Sequence, residues 1–217
     1  EKRLSELGLE VLERYGIWSQ TDPIILGLSC DSKKVEHGFI FFAISGLHEH
    51  GAKYACDAVK RGAILIVTDL IGVKFLKEKS ISLATVIVQN PRKSLSVCSA
   101  RIFYKQPMNQ VAITGTNGKT SVSVFVRQIW EELGLKAVNI GTLGVQGAVE
   151  KTLIHTTPEP ITLHKTLTEL VEFGVQHASL EASSHGLEQW RLDGVVLQAA
   201  AFTNLSRDHL DYHYNQK

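Results

Sequence analysis

The sequence predicts an α/β protein in two parts: a small N-terminal α/β domain over residues 1–106 and an α/β domain of the phosphate-loop kind over residues 107–217. Three observations carry this. Short apolar runs alternate with helical patterns at βαβ spacing through the first half. Lys105, Gln106 and Pro107 interrupt the alternation and read as a linker. A second alternation then opens on a β-prone run, Val111–Ala112–Ile113, that enters a Gly-containing turn and leaves it as a helical pattern.

A chain of 217 residues accommodates one or two domains at roughly 150 residues each. The net charge of +1 gives no electrostatic reason to expect nucleic acid or an anionic membrane as partner. Cys30, Cys56 and Cys98 are odd in number and form no C-x-x-C pair, which points to free thiols in a reducing cytosol. No apolar run has the length of a membrane span, and no signal-peptide pattern opens the chain. The chain starts at Glu1 without Met and stops just after a dense polar run, so a piece of a longer protein is expected.

Taken in order, Leu4, Leu7, Val11 and Leu12 recur at helical spacing, predicting an amphipathic helix that ends near Gly16. Residues 23–28 read as a strand, and Cys30–Asp31–Ser32–Lys33–Lys34 as a polar turn whose Asp and Ser satisfy turn backbone. Residues 39–44, apolar and aromatic, read as a buried strand. The loop that follows holds Leu47, His48, Glu49 and His50. Neighbouring residues cannot easily converge on one ion, so this loop suits ligand contact at a strand end better than metal. Helices are expected over 54–60, 73–77 and 91–104, and strands over 63–68 and 84–88, with Pro91 at an early helical position.

The second half turns on Gly115–Thr116–Asn117–Gly118–Lys119–Thr120–Ser121. A Gly turn between strand and helix aims backbone N–H groups and a helix N-terminus at one point, which favours an anion there. Lys119 adds a mobile positive charge, and the Thr120 hydroxyl is suited to Mg2+. Ile113 stands where the longer phosphate-loop pattern has its first Gly. The helix after the loop carries an apolar stripe, Val122, Phe125, Val126, Ile129, Trp130 and Leu133, stopped by Gly134. Residues 136–140 read as a strand and 141–147 as a Gly-rich hairpin or loop.

His155, Thr156 and Thr157 precede Pro158–Glu159–Pro160. The stretch reads as a stiff polar loop and also as a helix entry, with Thr157 as N-cap and Pro158 at the first position. Residues 161–173 form the helix and 177–180 a buried strand, ending on Glu181. A carboxylate there is suited to Mg2+; the plainer alternative is a surface glutamate. Ser183, Gln189 and Arg191 follow, the last able to clamp an acid. Residues 197–202 read as a strand that delivers Thr203 to His213. His209 and His213 lack the Glu of a zinc-protease motif, and His209 suits a place beside Mg2+ better.

These stretches together resemble the Mur ligase family. The loop Gly115–Ser121, the run Glu181–Leu187 with Gln189 and Arg191 behind it, and the run Thr203–His213 look like its signatures. The resemblance implies ATP and Mg2+ as cofactors. It implies peptidoglycan synthesis, in which a third amino acid, meso-diaminopimelate or L-lysine, is joined to UDP-N-acetylmuramoyl-L-Ala-D-Glu through an acyl phosphate. Gly115 to Ser121 would hold ATP, Lys119, Glu181 and His209 would be catalytic, and Thr120, Glu181 and His209 would organise the metal. Cys30, Ser32, Leu47, His48 and Glu49 would contact the UDP end, and His155, Thr156, Thr157, Ser183, Gln189 and Arg191 the muramoyl-dipeptide end. A cytosolic monomer without membrane or nucleic-acid partners is implied. Lys33, His155 and Tyr214 depart from the family's usual residues, and its bridging lysine and amino-acid-binding domain would lie beyond Lys217. The alternatives are a sister ligase, acting on D-Ala-D-Ala or making poly-amino acids, and a phosphate-loop NTPase without ligase activity.

Overall fold

The computed structural model describes residues 1–206 and divides the chain into two compact units, Glu1–Tyr104 and Lys105–Lys217. In the first, strands β1 (Lys2–Arg3), β2 (Glu13–Tyr15), β3 (Ile24–Ile25), β4 (Gly27–Ser29), β5 (Phe39–Phe42), β6 (Leu65–Thr68) and β7 (Thr85–Ile87) accompany helices α1 (Ala55–Lys60), α2 (Leu70–Glu78) and α3 (Pro91–Ile102). The main sheet has the order β2-β7-β6-β5-β4, parallel except for the antiparallel β2 edge; β1 and β3 form a separate antiparallel pair. Phe41, Ile66 and Leu76 lie in its core. Asn90 caps α3 by accepting the N–H groups of Arg92 and Lys93 ahead of Pro91.

The first expected helix does not form. Only a 3-10 turn, Leu4–Leu7, is present, stopped by Gly8 at φ 70°. Leu4 and Leu7 are buried, but Val11 and Leu12 are exposed, so the stripe has no continuous face to bury. The chain instead supplies β2 to the open edge of β7, tertiary pairing overriding local periodicity. The single strand expected over 23–28 is two: β3 pairs with β1, and β4 with β5.

The second unit contains β8 (Asn109–Thr114), α4 (Lys119–Glu132), β9 (Ala137–Gly141), β10 (Gly144–Gly147), α5 (Pro160–Glu172), β11 (His177–Glu181), α6 (Ser184–Glu188) and β12 (Ala199–Phe202). The sheet order is β10-β9-β11-β8-β12, with only β10 antiparallel. Parallel neighbours align their carboxyl ends, the edge where ligands bind in such sheets. Lys105 and Gln106 are fastened to this unit: the Lys105 amine meets Glu172 at 3.1 Å, and the Gln106 side chain bonds Gly194 O and Val196 N.

Helix α5 packs as its pattern dictates, with Leu163, Leu167 and Leu170 buried against Val138, Ile140 and Leu180. Helix α4 does not. Its buried contact is Ser123, whose hydroxyl bonds Ser179, while Phe125, Ile129 and Leu133 are exposed among the described residues. Two small hydroxyl residues let helix and strand approach closely; Val122, Val126 and Trp130 of the predicted stripe are half-buried, Trp130 against the His177 ring, and the rest of the stripe is exposed. The N-cap expected at Thr157 is also displaced: α5 begins at Pro160, and Glu159 accepts the Thr162 N–H at 3.3 Å. Thr157 is buried and bonded inward instead. No described helix is long and apolar enough to cross a membrane.

Candidate active site

Four parallel strands of the second unit deliver polar residues to one edge. Strand β8 runs into the loop Gly115–Ser121, β11 ends on Glu181, β9 runs into Thr142, and β12 runs into Thr203 and Asn204. Gly115 has φ 130°, and a Cβ there would overlap the Thr203 hydroxyl, so glycine is required on both counts. Gly118, at φ 85°, turns the chain into α4.

The loop is laced to the segment after β12. Asn204 O accepts the Thr116 N–H at 2.9 Å, its side-chain oxygen accepts the Asn117 N–H at 3.0 Å, and its amide donates to Asn117 O. The Thr203 hydroxyl donates to Asn117 O at 2.7 Å, and the Ser206 N–H to the Thr116 hydroxyl at 2.9 Å. Thr116 and Asn117 thus have their N–H groups engaged. The donors left for an anion are those opening α4, which have no intrahelical partners. The Lys119 amine lies over the same turn, donating to Gly115 O at 2.7 Å and Thr116 O at 3.0 Å.

Glu181 is 2 % exposed, which excludes the surface reading. Its Oε2 accepts the Thr120 hydroxyl at 2.8 Å and the Thr142 hydroxyl at 3.3 Å; its Oε1 accepts the Thr142 N–H at 3.0 Å. Gly141 makes room for it, since a Cβ at that position would overlap the carboxylate. A hydroxyl and a carboxylate converging beside a helix N-terminus are hard oxygen donors. They fit Mg2+, which takes one or two carboxylates and completes its shell with phosphate and water. Among the described residues no three acids, histidines or cysteines form a cation cage, and Mg2+ with nucleotide needs none. His209 lies outside the described residues.

The loop after β10 reaches Thr142 and the main chain of Glu181. The Thr156 hydroxyl meets the Thr142 hydroxyl at 3.0 Å. The Thr157 hydroxyl donates to Glu181 O at 2.9 Å, accepts the Ser183 N–H at 2.9 Å and lies 3.0 Å from the Ser183 hydroxyl. Ser183 caps α6 by accepting the Gly186 N–H. Helix α6 ends with Trp190 N–H to Leu187 O and Arg191 N–H to Gly186 O, a Schellman closure. Trp190 takes its left-handed position, φ 58°, where glycine is usual. Such strain in a non-glycine residue gathers at functional sites. The turn aims Arg191 at the threonine loop: one guanidinium nitrogen donates to Thr157 O at 2.6 Å and another to Gln189 at 2.9 Å. His155 is exposed beside them.

In the first unit the predicted residues lie at the carboxyl ends of β4 and β5. Ser32 is buried in a 3-10 turn capped by Asp31, and Cys30 is exposed. Leu47, 81 % exposed, His48 and Glu49 form the tip of a loop closed by the Ser45–His50 bridge. The Tyr54 hydroxyl donates to Glu49 at 2.6 Å and Lys53 lies 3.3 Å away. Both contacts favour the anion, the tyrosine more, and lower the Glu49 carboxyl below its ordinary range. Buried His50 anchors the loop. Its Nδ1 accepts the Ala52 N–H at 3.1 Å, so Nε2 carries the proton it donates to Asp69 at 3.1 Å, and its ring stacks on Phe75. Arg92 donates to Ser45 O at 2.6 Å.

Residue-by-residue reading of the sequence did not single out Thr142, His50, Asp69 or Arg92 as structural partners, nor give Asn204 a role. The available signal for Thr142 was a hydroxyl directly after the strand beside the one ending in Glu181.

The fold and the Gly-Lys-Thr loop define a phosphate-loop α/β domain. Residues 113–217 match the Mur ligase middle domain, and this part of the chain belongs to the Mur ligase family. It is 50 % identical over 196 residues to the UDP-N-acetylmuramoyl-L-alanyl-D-glutamate–2,6-diaminopimelate ligase of Chelativorans sp. (strain BNC1), covering 88 % of this chain and 39 % of that protein. It is 48 % identical over 197 residues to the ligase of the same name from Mesorhizobium japonicum (strain LMG 29417 / CECT 9101 / MAFF 303099), covering 90 % and 40 %. A solved structure of a UDP-N-acetylmuramoyl-L-alanyl-D-glutamate–2,6-diaminopimelate ligase superposes with a TM-score of 0.71 at 32 % identity, covering 87 % of this chain and 38 % of that one. The chain therefore spans about two fifths of the length of these relatives.

Proposed function

We propose that this chain is the N-terminal and partial central portion of an ATP-dependent ligase that joins 2,6-diaminopimelate to UDP-N-acetylmuramoyl-L-Ala-D-Glu in peptidoglycan synthesis. The observation that carries the reading is the Thr120–Glu181 pair at the end of a Gly-Lys-Thr loop. The names of the relatives, at 48–50 % identity, favour diaminopimelate over lysine. A reaction that draws on ATP and a UDP-sugar belongs in the cytosol.

The chemistry needs no protein nucleophile. A carboxylate oxygen of the substrate attacks the γ-phosphorus of ATP, ADP leaves, and an acyl phosphate forms. The amine of the incoming amino acid attacks its carbonyl carbon and loses a proton, and phosphate leaves. Such transfers depend on positioning and charge neutralisation. The N-terminus of α4 and residues Gly115 to Ser121 hold the phosphates, and Lys119 follows the charge on the moving phosphoryl group. Thr120 and Glu181, with His209, are the residues for Mg2+, which when bound neutralises phosphate charge. Thr156, Thr157, Ser183, Gln189, Arg191 and His155 form the wall for the muramoyl dipeptide. Cys30, Ser32, Leu47, His48 and Glu49 serve the UDP end.

The test is ADP release by the full-length protein. Release should require both UDP-N-acetylmuramoyl-L-Ala-D-Glu and diaminopimelate. ATP hydrolysis at the same rate without either would show an NTPase rather than a ligase, and activity with a different UDP-sugar peptide would show a sister ligase.

A further inference from the structure

Thr142 occupies a position out of proportion to its local surroundings. With Leu143 it forms the two-residue connection between β9 and β10, and it is exposed, as a turn residue normally is. Yet its N–H and its hydroxyl reach the two different oxygens of the buried Glu181 carboxylate, at 3.0 and 3.3 Å. An ionised carboxylate only accepts, so the Thr142 proton points at Glu181. The contact between the Thr142 and Thr156 hydroxyls, 3.0 Å, is then donated by Thr156. The result is a directed chain from Thr156 through Thr142 to Glu181, whose Oε2 also receives Thr120. Gly141 completes the arrangement, because any side chain there would push the carboxylate off both of the Thr142 donors.

We propose that Thr142 is a positioning residue: it fixes the Glu181 carboxylate for the metal and nucleotide, and it ties that carboxylate to Thr156 in the loop assigned to the muramoyl peptide. The inference rests on the proposed function and adds to it a residue that touches neither phosphate nor peptide in the roles given above. A partner that orients a metal-binding carboxylate typically changes metal affinity or activity by ten- to a hundredfold when removed.

The experiment uses the full-length protein and follows binding of a fluorescent ADP analogue as Mg2+ is titrated, alongside ADP release. Thr142→Val keeps the shape and the backbone N–H and removes the hydroxyl; Thr142→Ala keeps the backbone N–H and removes the hydroxyl and the methyl together, should valine disturb the turn. Either variant should raise the Mg2+ concentration for half-maximal analogue binding by about tenfold, and Thr142→Ser should restore the wild-type value. Wild-type Mg2+ dependence in both hydroxyl-free variants would overturn the inference while leaving the ligase reading intact. So would a Thr142→Ser protein as defective as Thr142→Val. A wild-type protein whose analogue binding ignores Mg2+ would overturn both.

Discussion

The two units hold their candidate residues in opposite ways. In the second, the central group is a buried carboxylate whose two oxygens receive donors from Thr120 and Thr142, on the segments that follow the two strands flanking β11. In the first, Leu47, His48 and Glu49 stand out in solvent, and the fixed points lie beneath them in His50, Asp69 and Arg92. The difference suits the proposed ligands. A hard cation and a transferring phosphoryl group need oxygens and charges held in place before they arrive. A nucleotide base and sugar spread their contacts over a surface, so a loop with a rigid base and a free tip is enough.

The strongest way to break this comparison is at Lys119. Its amine bonds only loop carbonyls in the contacts described above, so Lys119→Ala should leave folding intact. Loss of the cation from the phosphate loop should lower ADP formation by about a thousandfold, in the range found when a charge-stabilising donor is removed. Wild-type turnover in that variant would remove the second unit from the chemistry. The next effect is Gly141→Ala, which forces the carboxylate away from Thr142. It should cost about a hundredfold in Mg2+-dependent nucleotide binding and about 1–3 kcal/mol in stability from overpacking, read by urea unfolding. A variant with normal binding would mean that the carboxylate tolerates displacement.

The contrast also explains what the sequence disclosed. The phosphate loop and Glu181 were legible because each follows an apolar strand run directly, so the local pattern places it at a strand's carboxyl end. Most α/β elements were legible for the same reason. The first helix was not, because burial of Val11 and Leu12 depended on a partner surface and β7 offered an edge instead. The apolar stripe of α4 told half the story, because Val122, Val126 and Trp130 are half-buried while the close contact is made by Ser123 and Ser179, small and hydroxylic. Thr157 read as a cap from its neighbour Pro158, whereas its hydroxyl is used 24 residues away on Glu181. Thr142 acts across 39 residues and Asn204 across 87. Such pairings follow from sheet order, which local spacing does not encode.

One buried histidine of the second unit carries the comparison into pH dependence. His164, on α5, is fully buried; its Nε2 donates to Asp193 O at 3.1 Å, and its Nδ1 has no partner among the described residues. Burial pushes it down from 6.5 to about 4, with the Asp193 contact opposing. Between those values the unfolded chain takes up a proton that the folded chain refuses. Stability is therefore complete above about pH 6.5 and falls as the pH is lowered toward about 4, by about 3 kcal/mol in all. Urea midpoints at pH 7.5 and 4.5 should show this loss, and His164→Gln, which has no titrating ring, should flatten it. An equal pH slope in that variant would assign the loss to other groups.

His50 offers the smallest and most selective test. Both its ring nitrogens are used, so its value lies in tying the start of the 3-10 turn after the loop to Asp69, which itself caps α2 through Gly72 N–H. Gly72 is shaped to it, because a Cβ there would overlap Thr68 and crowd the imidazole. His50→Leu fills the space, keeps contact with Phe75 and strands the Ala52 N–H and one Asp69 contact, at a cost of about 1–3 kcal/mol. The loop tip should lose its fixed base, and UDP binding, followed by calorimetry, should weaken by about tenfold, the equivalent of 1.4 kcal/mol. Binding of an ADP analogue should not change, because the described contacts of Gly115 to Ser121 are made by Thr203, Asn204, Ser206 and Glu181 of the second unit. A variant that weakened both ligands equally would mean that the two units do not divide the labour as proposed; one that weakened neither would leave the loop of Leu47 to Glu49 without a binding role.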